Sequence, residues 1–251
     1  MAGRRLLILG GTGEAAALAR ALAEAWDWEV TTSLAGRTRA PAALPGAVRI
    51  GGFGGIDGLA AYLRAERIDR VIDATHPFAA TMSANAAAAC TRLGVPLLRI
   101  ERPAWTPVPG DRWIDVADAG AAADWLAEAL PPSSAVLLTL GRQDVAPFKR
   151  CPALRFVLRS IEPPAPEDLP PDCLLLSERG PFTLEGERAL IARHGIRAVV
   201  AKNAGGDATA AKLAAAREAA IPVVMIRRPA PLATPAVADI AGALDWLSRP
   251  R

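Results

Sequence analysis

Leu6-Leu7-Ile8-Leu9-Gly10-Gly11-Thr12-Gly13-Glu14-Ala15-Ala16 joins a short apolar run to a glycine cluster and then to an alanine-rich segment of helical composition. An apolar run of this length beside a crossover helix reads as a strand buried on both faces of a parallel sheet. Gly11, Gly13 and Ala16 match the G-x-G-x-x-G/A spacing, in which glycine permits a tight turn and lets the backbone approach a phosphate. A helix beginning near Gly13 aims unpaired N–H groups and its positive dipole end at that phosphate. Gly10, Gly11, Thr12, Gly13 and Glu14 are therefore candidate cofactor-binding residues. By themselves the same glycines also fit an ordinary strand-to-helix turn.

Working outward, Trp28-Glu29-Val30-Thr31-Thr32-Ser33 is β-branched and predicts a second strand. It leads into Leu34-Ala35-Gly36-Arg37, where an enzyme using NAD usually carries Asp or Glu against the ribose hydroxyls. No carboxylate stands there. A carboxylate would repel a 2′-phosphate, whereas Ser33 and Arg37 can bond one, so a bound dinucleotide is expected to be NADP. A solvated loop arginine is the plainer reading of Arg37.

Val48-Arg49-Ile50 runs into Gly51-Gly52-Phe53-Gly54-Gly55, a loop that either lies against a ligand or turns tightly. A helix is predicted over 56–66 and a strand over 70–73. The strand continues into Ala74-Thr75-His76-Pro77-Phe78-Ala79, with Pro77 suited to the first turn of a helix reaching about 93. Thr75, a candidate cofactor-binding residue, and His76 then sit at a strand's carboxyl end, the edge that bears sites in open α/β sheets. Another buried strand is expected over 96–100.

Pro103, Pro107, Pro109 and Gly110 interrupt the pattern and mark a boundary. The expected organisation is an NADP-binding domain over 1–103 and a second α/β domain over 111–251. In the latter, strands are predicted at 113–116, 135–140, 155–158, 173–176, 198–201 and 223–226. Helices are predicted near 119–129, 183–194, 208–219 and 235–247. The halves echo each other: Gly94-Val95-Pro96-Leu97-Leu98-Arg99-Ile100-Glu101-Arg102-Pro103 parallels Ala220-Ile221-Pro222-Val223-Val224-Met225-Ile226-Arg227-Arg228-Pro229. That echo sets the Thr75-His76 loop against Lys202-Asn203-Ala204-Gly205-Gly206. The fold class expected is α/β, two Rossmann-like domains with parallel sheets facing each other across a cleft.

At 51% hydrophobic and 22% charged, 251 residues can bury a real core and do not read as disordered. A net charge of +3 is too small to make nucleic acid the main partner, and the scarcity of aromatics argues against a base-stacking surface. No apolar run reaches membrane-spanning length, and the first residues lead straight into a strand with no signal-peptide core. A soluble cytoplasmic protein, monomeric or a small homo-oligomer, is expected. Cys90, Cys151 and Cys173 are widely spaced and read as reduced. With only His76 and His194 beside them, no metal-ligand spacing arises, and no metal site is expected.

Taken together, the chain resembles the precorrin-6A reductases of cobalamin biosynthesis. The resemblance rests on Gly10-Gly11-Thr12-Gly13-Glu14-Ala15, Asp73-Ala74-Thr75-His76-Pro77-Phe78-Ala79 and Glu101-Arg102-Pro103. It continues through Leu140-Gly141-Arg142, Glu178-Arg179-Gly180-Pro181-Phe182 and Lys202-Asn203-Ala204-Gly205-Gly206. The Asp-Ala-Thr-His-Pro-Phe-Ala run is its most specific part. The resemblance implies a two-domain reductase that passes a hydride from NADPH to a carbon of a tetrapyrrole (precorrin) and has no metal of its own. A macrocycle bearing acetate and propionate arms needs cations at its rim, and Arg102, Arg142, Arg179 and Lys202 sit on predicted strand-end loops beside Asn203. Each cation also fits a solvated surface charge. His76 and Lys202 are the candidate catalytic residues, His76 because its unperturbed pKa lies near neutrality. It equally fits a helix-start residue bonded to backbone. Hydride transfer can also proceed on orientation alone, with no general acid.

A short-chain dehydrogenase shares the N-terminal fingerprint but needs a Tyr followed four residues later by Lys. The single tyrosine, Tyr62, is followed at that spacing by Glu66. Two other readings are a non-catalytic NADP(H)-binding sensor and another NADP-dependent reductase of a small carboxylated substrate. The sensor would need no second set of cationic loops.

Overall fold

The computed structural model describes residues 3–25, 27–36 and 43–249. They form two compact units, one of Met1–Pro103 with Pro229–Arg251 and one of Ala104–Arg228. Each is built on a six-stranded sheet in which every pairing is parallel.

In the first unit the chain runs β1 (Arg4–Leu9), α1 (Gly13–Ala25), β2 (Trp28–Leu34), β3 (Ala47–Ile50), α2 (Gly55–Ala65), β4 (Arg70–Asp73), α3 (Ala80–Leu93) and β5 (Leu97–Ile100). β1 is central, and successive residues along it point to opposite faces. Leu6 and Ile8 pack with Leu18 and Leu22 of α1. Leu7 and Leu9 pack with Leu59 and Leu63 of α2 and with Ala86 and Ala89 of α3. Fully burying one such leucine contributes about 1.5–3 kcal/mol, which is why an unbroken aliphatic run has only this placement.

The second unit contains β6 (Trp113–Val116), α4 (Ala119–Ala129), β7 (Ala135–Thr139), β8 (Arg155–Ser160), β9 (Cys173–Ser177), α5 (Leu184–His194), β10 (Ile196–Lys202), α6 (Ala211–Glu218) and β11 (Val223–Ile226). Asp118 and Thr183 cap α4 and α5, accepting from Ala121 N and Gly186 N at 2.9 and 3.1 Å. These caps fall where the sequence places the helix starts.

The chain then returns to the first unit as β12 (Ala236–Val237) and α7 (Ile240–Ser248). The expectation that 111–251 forms one domain is corrected here. β12 pairs with β5 through Ala236 opposite Arg99, and Ala243 and Leu247 of α7 lie in the core beside Leu6 and Ile8. Arg70 fixes the return, donating to the carbonyls of Trp246 (2.7 Å), Leu247 (3.3 Å) and Arg249 (2.6 Å). The helix predicted over 235–247 starts later for the same reason: 236–237 pair as strand, and Asp239 caps α7 by accepting from Gly242 N at 2.9 Å.

The first sheet has the order β12-β5-β4-β1-β2-β3, the 3-2-1-4-5-6 order of dinucleotide-binding folds with its sixth strand taken from the C-terminus. The second sheet, β6-β11-β10-β7-β8-β9, repeats that order with β7 in the place of β1, its outermost strand coming from the start of the unit. The sequence echo is thus a topological one: β4 and β5 correspond to β10 and β11. In each unit the order reverses at one point, between β1 and β4 and between β7 and β10. Such a reversal opens a crevice at the carboxyl ends of the strands. Among the described residues no helix is long and apolar enough to cross a membrane.

Candidate active site

In the first unit the glycine cluster occupies the reversal point. Gly10 N donates to Ser33 O at 2.9 Å, tying the end of β1 to β2. Gly11 has φ +108°, a conformation that favours glycine, and a Cβ there would meet nothing within 4 Å. A Cβ on Gly13, the first residue of α1, would also meet nothing, although its backbone lies outside the left-handed region. Thr12 bridges the crevice: its hydroxyl donates to Ala74 O at 2.7 Å and accepts from Ala15 N at 3.2 Å. This capping bond leaves the helix start fixed and open to a ligand. Glu14 is paired with Arg102 at 2.7 Å. Burial pushes the Glu14 carboxyl up, but the hydrogen bond and charge of Arg102, with backbone help, hold it below the usual value. The Arg102 cation, expected at a substrate arm, is thus compensated from within its own unit.

The Asp73–Ala79 run has a physical explanation. Asp73, 2% exposed, accepts from Thr75 N at 3.1 Å and from Thr75 Oγ1 at 2.7 Å. Arg99 lies 3.7 Å from the other Asp73 oxygen and 3.1 Å from Glu101, an ion pair by distance rather than by aligned hydrogen bonds. A buried carboxylate of this kind needs such compensation, and the network fixes the turn that carries Thr75 and His76. Pro77 does not open the following helix. Ala79 N donates to His76 O at 2.7 Å, closing a turn, and α3 begins at Ala80. His76 is exposed, and its Nδ1 accepts from Phe78 N at 3.2 Å.

Ser33 sits in register beside Arg49 of β3, whose Nη1 is 3.4 Å from the Ser33 hydroxyl. Arg37 lies outside the described residues.

In the second unit Lys202, at the end of β10, forms an ion pair with Asp144 from the loop after β7. This pair spans the second reversal point. Asn203 gives both ends of its amide to the backbone of Trp105, accepting from N at 2.8 Å and donating to O at 3.0 Å. Arg228 holds the same loop from behind, donating to Asn203 O and Ala204 O at 2.8 and 2.9 Å. Asn203 therefore shapes the loop through bonds to backbone. Arg142 and Arg179 are exposed, and neither forms an ion pair with a described residue.

Beneath the loop of Arg179 lies a buried charge cluster that the sequence reading missed. Arg159 of β8 donates to Glu187 at 2.7 Å, lies 4.0 Å from Glu178 and stacks 3.7 Å from the Phe182 ring centroid. Lys212, 4% exposed, donates to Thr209 O at 2.5 Å and lies 4.7 Å from the Trp105 ring centroid. Burial, with the Arg159 charge, lowers its pKa to about 7 against a partial counter-effect from Glu187. The only hint in the sequence was an Arg and a Lys within otherwise apolar strand and helix patterns. Among the described residues no group of three or more His, Cys, Asp or Glu side chains could hold a metal ion.

Two doubly wound units with glycine-lined or cationic strand ends define a Rossmann-like α/β protein. The family profile of precorrin-6x reductase CbiJ/CobK matches residues 5–248. The precorrin-6A reductase of Rhodococcus erythropolis is 51% identical over 244 residues, 97% of each chain. That of Rhodobacter capsulatus is 48% identical over 245 residues, covering 97% of this chain and 96% of the relative. The solved structure of CobK precorrin-6A reductase matches with a TM-score of 0.89 at 47% identity, over 98% of this chain and 96% of that one. The chain belongs to the precorrin-6x reductase CbiJ/CobK family, and it is an oxidoreductase of cobalamin biosynthesis.

Proposed function

We propose that the protein reduces precorrin-6A to precorrin-6B with NADPH, the cofactor lying at the carboxyl edge of the first sheet. The observation that carries this reading is Gly13. It opens a helix, adopts a backbone conformation open to any residue, and has empty space where a side chain would lie. The fold has no need of glycine there; a pyrophosphate approaching the helix N-terminus does. NADPH, when bound, supplies the hydride for a ring carbon.

The chain's own residues bind and orient. Gly10, Gly11 and Gly13 let the backbone close on the pyrophosphate, with Thr12 and Glu14 holding the helix start through Ala74 and Arg102. Ser33 and Arg37 serve the ribose 2′-phosphate, and Thr75 holds the turn beside the reversal point. Arg142 and Arg179 offer exposed charges to the carboxylate arms, Lys202 offers an ammonium that Asp144 already orients, and Asn203 shapes the loop between them. His76 supplies or relays the proton that the neighbouring ring carbon takes.

The test is oxidation of NADPH by the purified protein with precorrin-6A, followed by the loss of reduced-nicotinamide absorbance. NADPH is expected to support turnover far better than NADH. Gly13→Val is expected to abolish calorimetric binding of NADPH while leaving the thermal melt unchanged. Undiminished binding by this variant would move the cofactor elsewhere.

A further inference from the structure

Arg49 is absent from the residues assigned above. It lies on β3 beside Ser33 of β2, which in turn lies beside Leu9 of β1, so the three strand ends form one line from the glycine cluster outward. A dinucleotide whose pyrophosphate sits at Gly11 and Gly13 lays its adenosine along this line. The Arg49 guanidinium is half-buried and held in place. Its Nη1 donates to Gly51 O at 2.5 Å, its Nη2 donates to Gly52 O at 2.7 Å, and the Phe53 ring centroid is 3.8 Å from its central carbon.

These partners are neutral. Among the described residues no carboxylate lies within ion-pair distance of Arg49. A fixed guanidinium on a partly desolvated ring, with carbonyls and a hydroxyl as its partners, keeps its full charge available to an anion. The loop beside it leaves room. A Cβ on Gly51, Gly52, Gly54 or Gly55 would meet nothing within 4 Å. Ser33, Nη1 of Arg49 and this bare loop together form a cradle for a small, doubly charged, tetrahedral group.

We infer that Arg49 helps select NADPH over NADH, pairing with the 2′-phosphate of the adenosine ribose beside Ser33. The assignment rests on the NADPH reading above and adds to it a residue outside the loop that carries Arg37. Its contribution is a charge-assisted bond present for one cofactor and missing for the other.

The test is titration calorimetry of the full chain with two pairs of ligands, each differing only in the 2′-phosphate: NADP⁺ with NAD⁺, and 2′,5′-ADP with 5′-AMP. Arg49→Met keeps the packing against Phe53 and removes the charge. It is expected to weaken NADP⁺ and 2′,5′-ADP by about 10–150-fold, the range of a charge-assisted hydrogen bond, and to leave NAD⁺ and 5′-AMP unchanged. Arg49→Lys keeps a charge without the planar fork and is expected to fall between the two. Should the methionine variant fail to fold, the lysine variant carries the same comparison. The advantage of the phosphorylated ligands should shrink with added salt more steeply in the wild type than in Arg49→Met. Equal losses for both members of a pair, or no loss for either, would overturn the assignment of Arg49 while leaving the NADPH reading intact. A wild-type protein that binds 2′,5′-ADP no tighter than 5′-AMP would overturn both.

Discussion

His76 accepts from the Phe78 N–H through Nδ1, so its neutral ring carries the proton on Nε2. That tautomer presents a donor on the side away from the backbone, as a proton relay needs. His76→Ala is expected to lower kcat by about 10²–10⁴-fold, the usual contribution of a positioned general acid. A change confined to KM would make the residue a binding group instead. Lys202 differs, because its ammonium already faces Asp144. If it also receives a substrate carboxylate, the two anions compete for it. Lys202→Ala should then raise KM with little effect on kcat, as loss of uniform binding does, whereas Asp144→Asn should lower KM. Steady-state kinetics separates the cases, and a raised KM in both variants would make the pair a strut of the loop.

Among the elements, the packing of β8, α5 and α6 around Arg159, Glu187 and Lys212 is expected to carry a cost that depends on pH. The Lys212 ammonium is pushed from 10.5 down to about 7, first by burial and then by Arg159. Between those values the unfolded chain holds a proton that the folded chain has released, so stability rises with pH across this window and is level below it. Full decoupling would change the unfolding constant by about tenfold per pH unit. Lys212→Met is expected to flatten this rise and to stabilise the protein at neutral pH. Denaturant unfolding at pH values inside and below the window gives the comparison, and an unchanged slope would show that another group titrates. The echo between the β4-α3-β5 and β10-α6-β11 segments also belongs to this scale. It was legible because both segments carry continuous aliphatic strands, Val71-Ile72 and Leu97-Leu98 in one, Val199-Val200 and Val223-Val224 in the other, each buried on both faces. The start of α3 was misplaced at Pro77, because a turn closed by Ala79 N and His76 O uses the same residue preferences as a first helical turn.

For the whole molecule, the unusual feature is that the first unit is completed from the far end of the chain. Arg70 is 5% exposed, and its guanidinium is satisfied by carbonyls of the last helical turns. Removing residues 229–251 would take away the three carbonyls that Arg70 donates to and expose the core face that Ala243 and Leu247 cover. The truncated chain is expected to lose the cooperative unfolding of its first unit, while 104–228 expressed alone keeps a cooperative transition because all six strands of its sheet lie within it. Circular dichroism melts of the two truncations test this. A second cooperative transition in the chain of residues 1–228, beside that of 104–228, would refute it.

The sequence by itself determined most of the element types, the parallel sheets and the glycine-lined helix start. Those features follow from preferences of adjacent residues: aliphatic runs that must be buried, glycine where a turn needs it, and Asp or Thr at helix starts. Only the tertiary structure decided what each charge faces. Glu14 meets Arg102, Asp144 meets Lys202, Ser33 meets Arg49, and Asn203 binds the backbone of Trp105. Electrostatic partners attract through space, and a cation that will be buried against a distant carboxylate has the same local sequence as one left in water. β12 escaped for a related reason: two residues are too few to show a strand period, and Ala236 and Val237 become a strand only because β5 is there to pair with them.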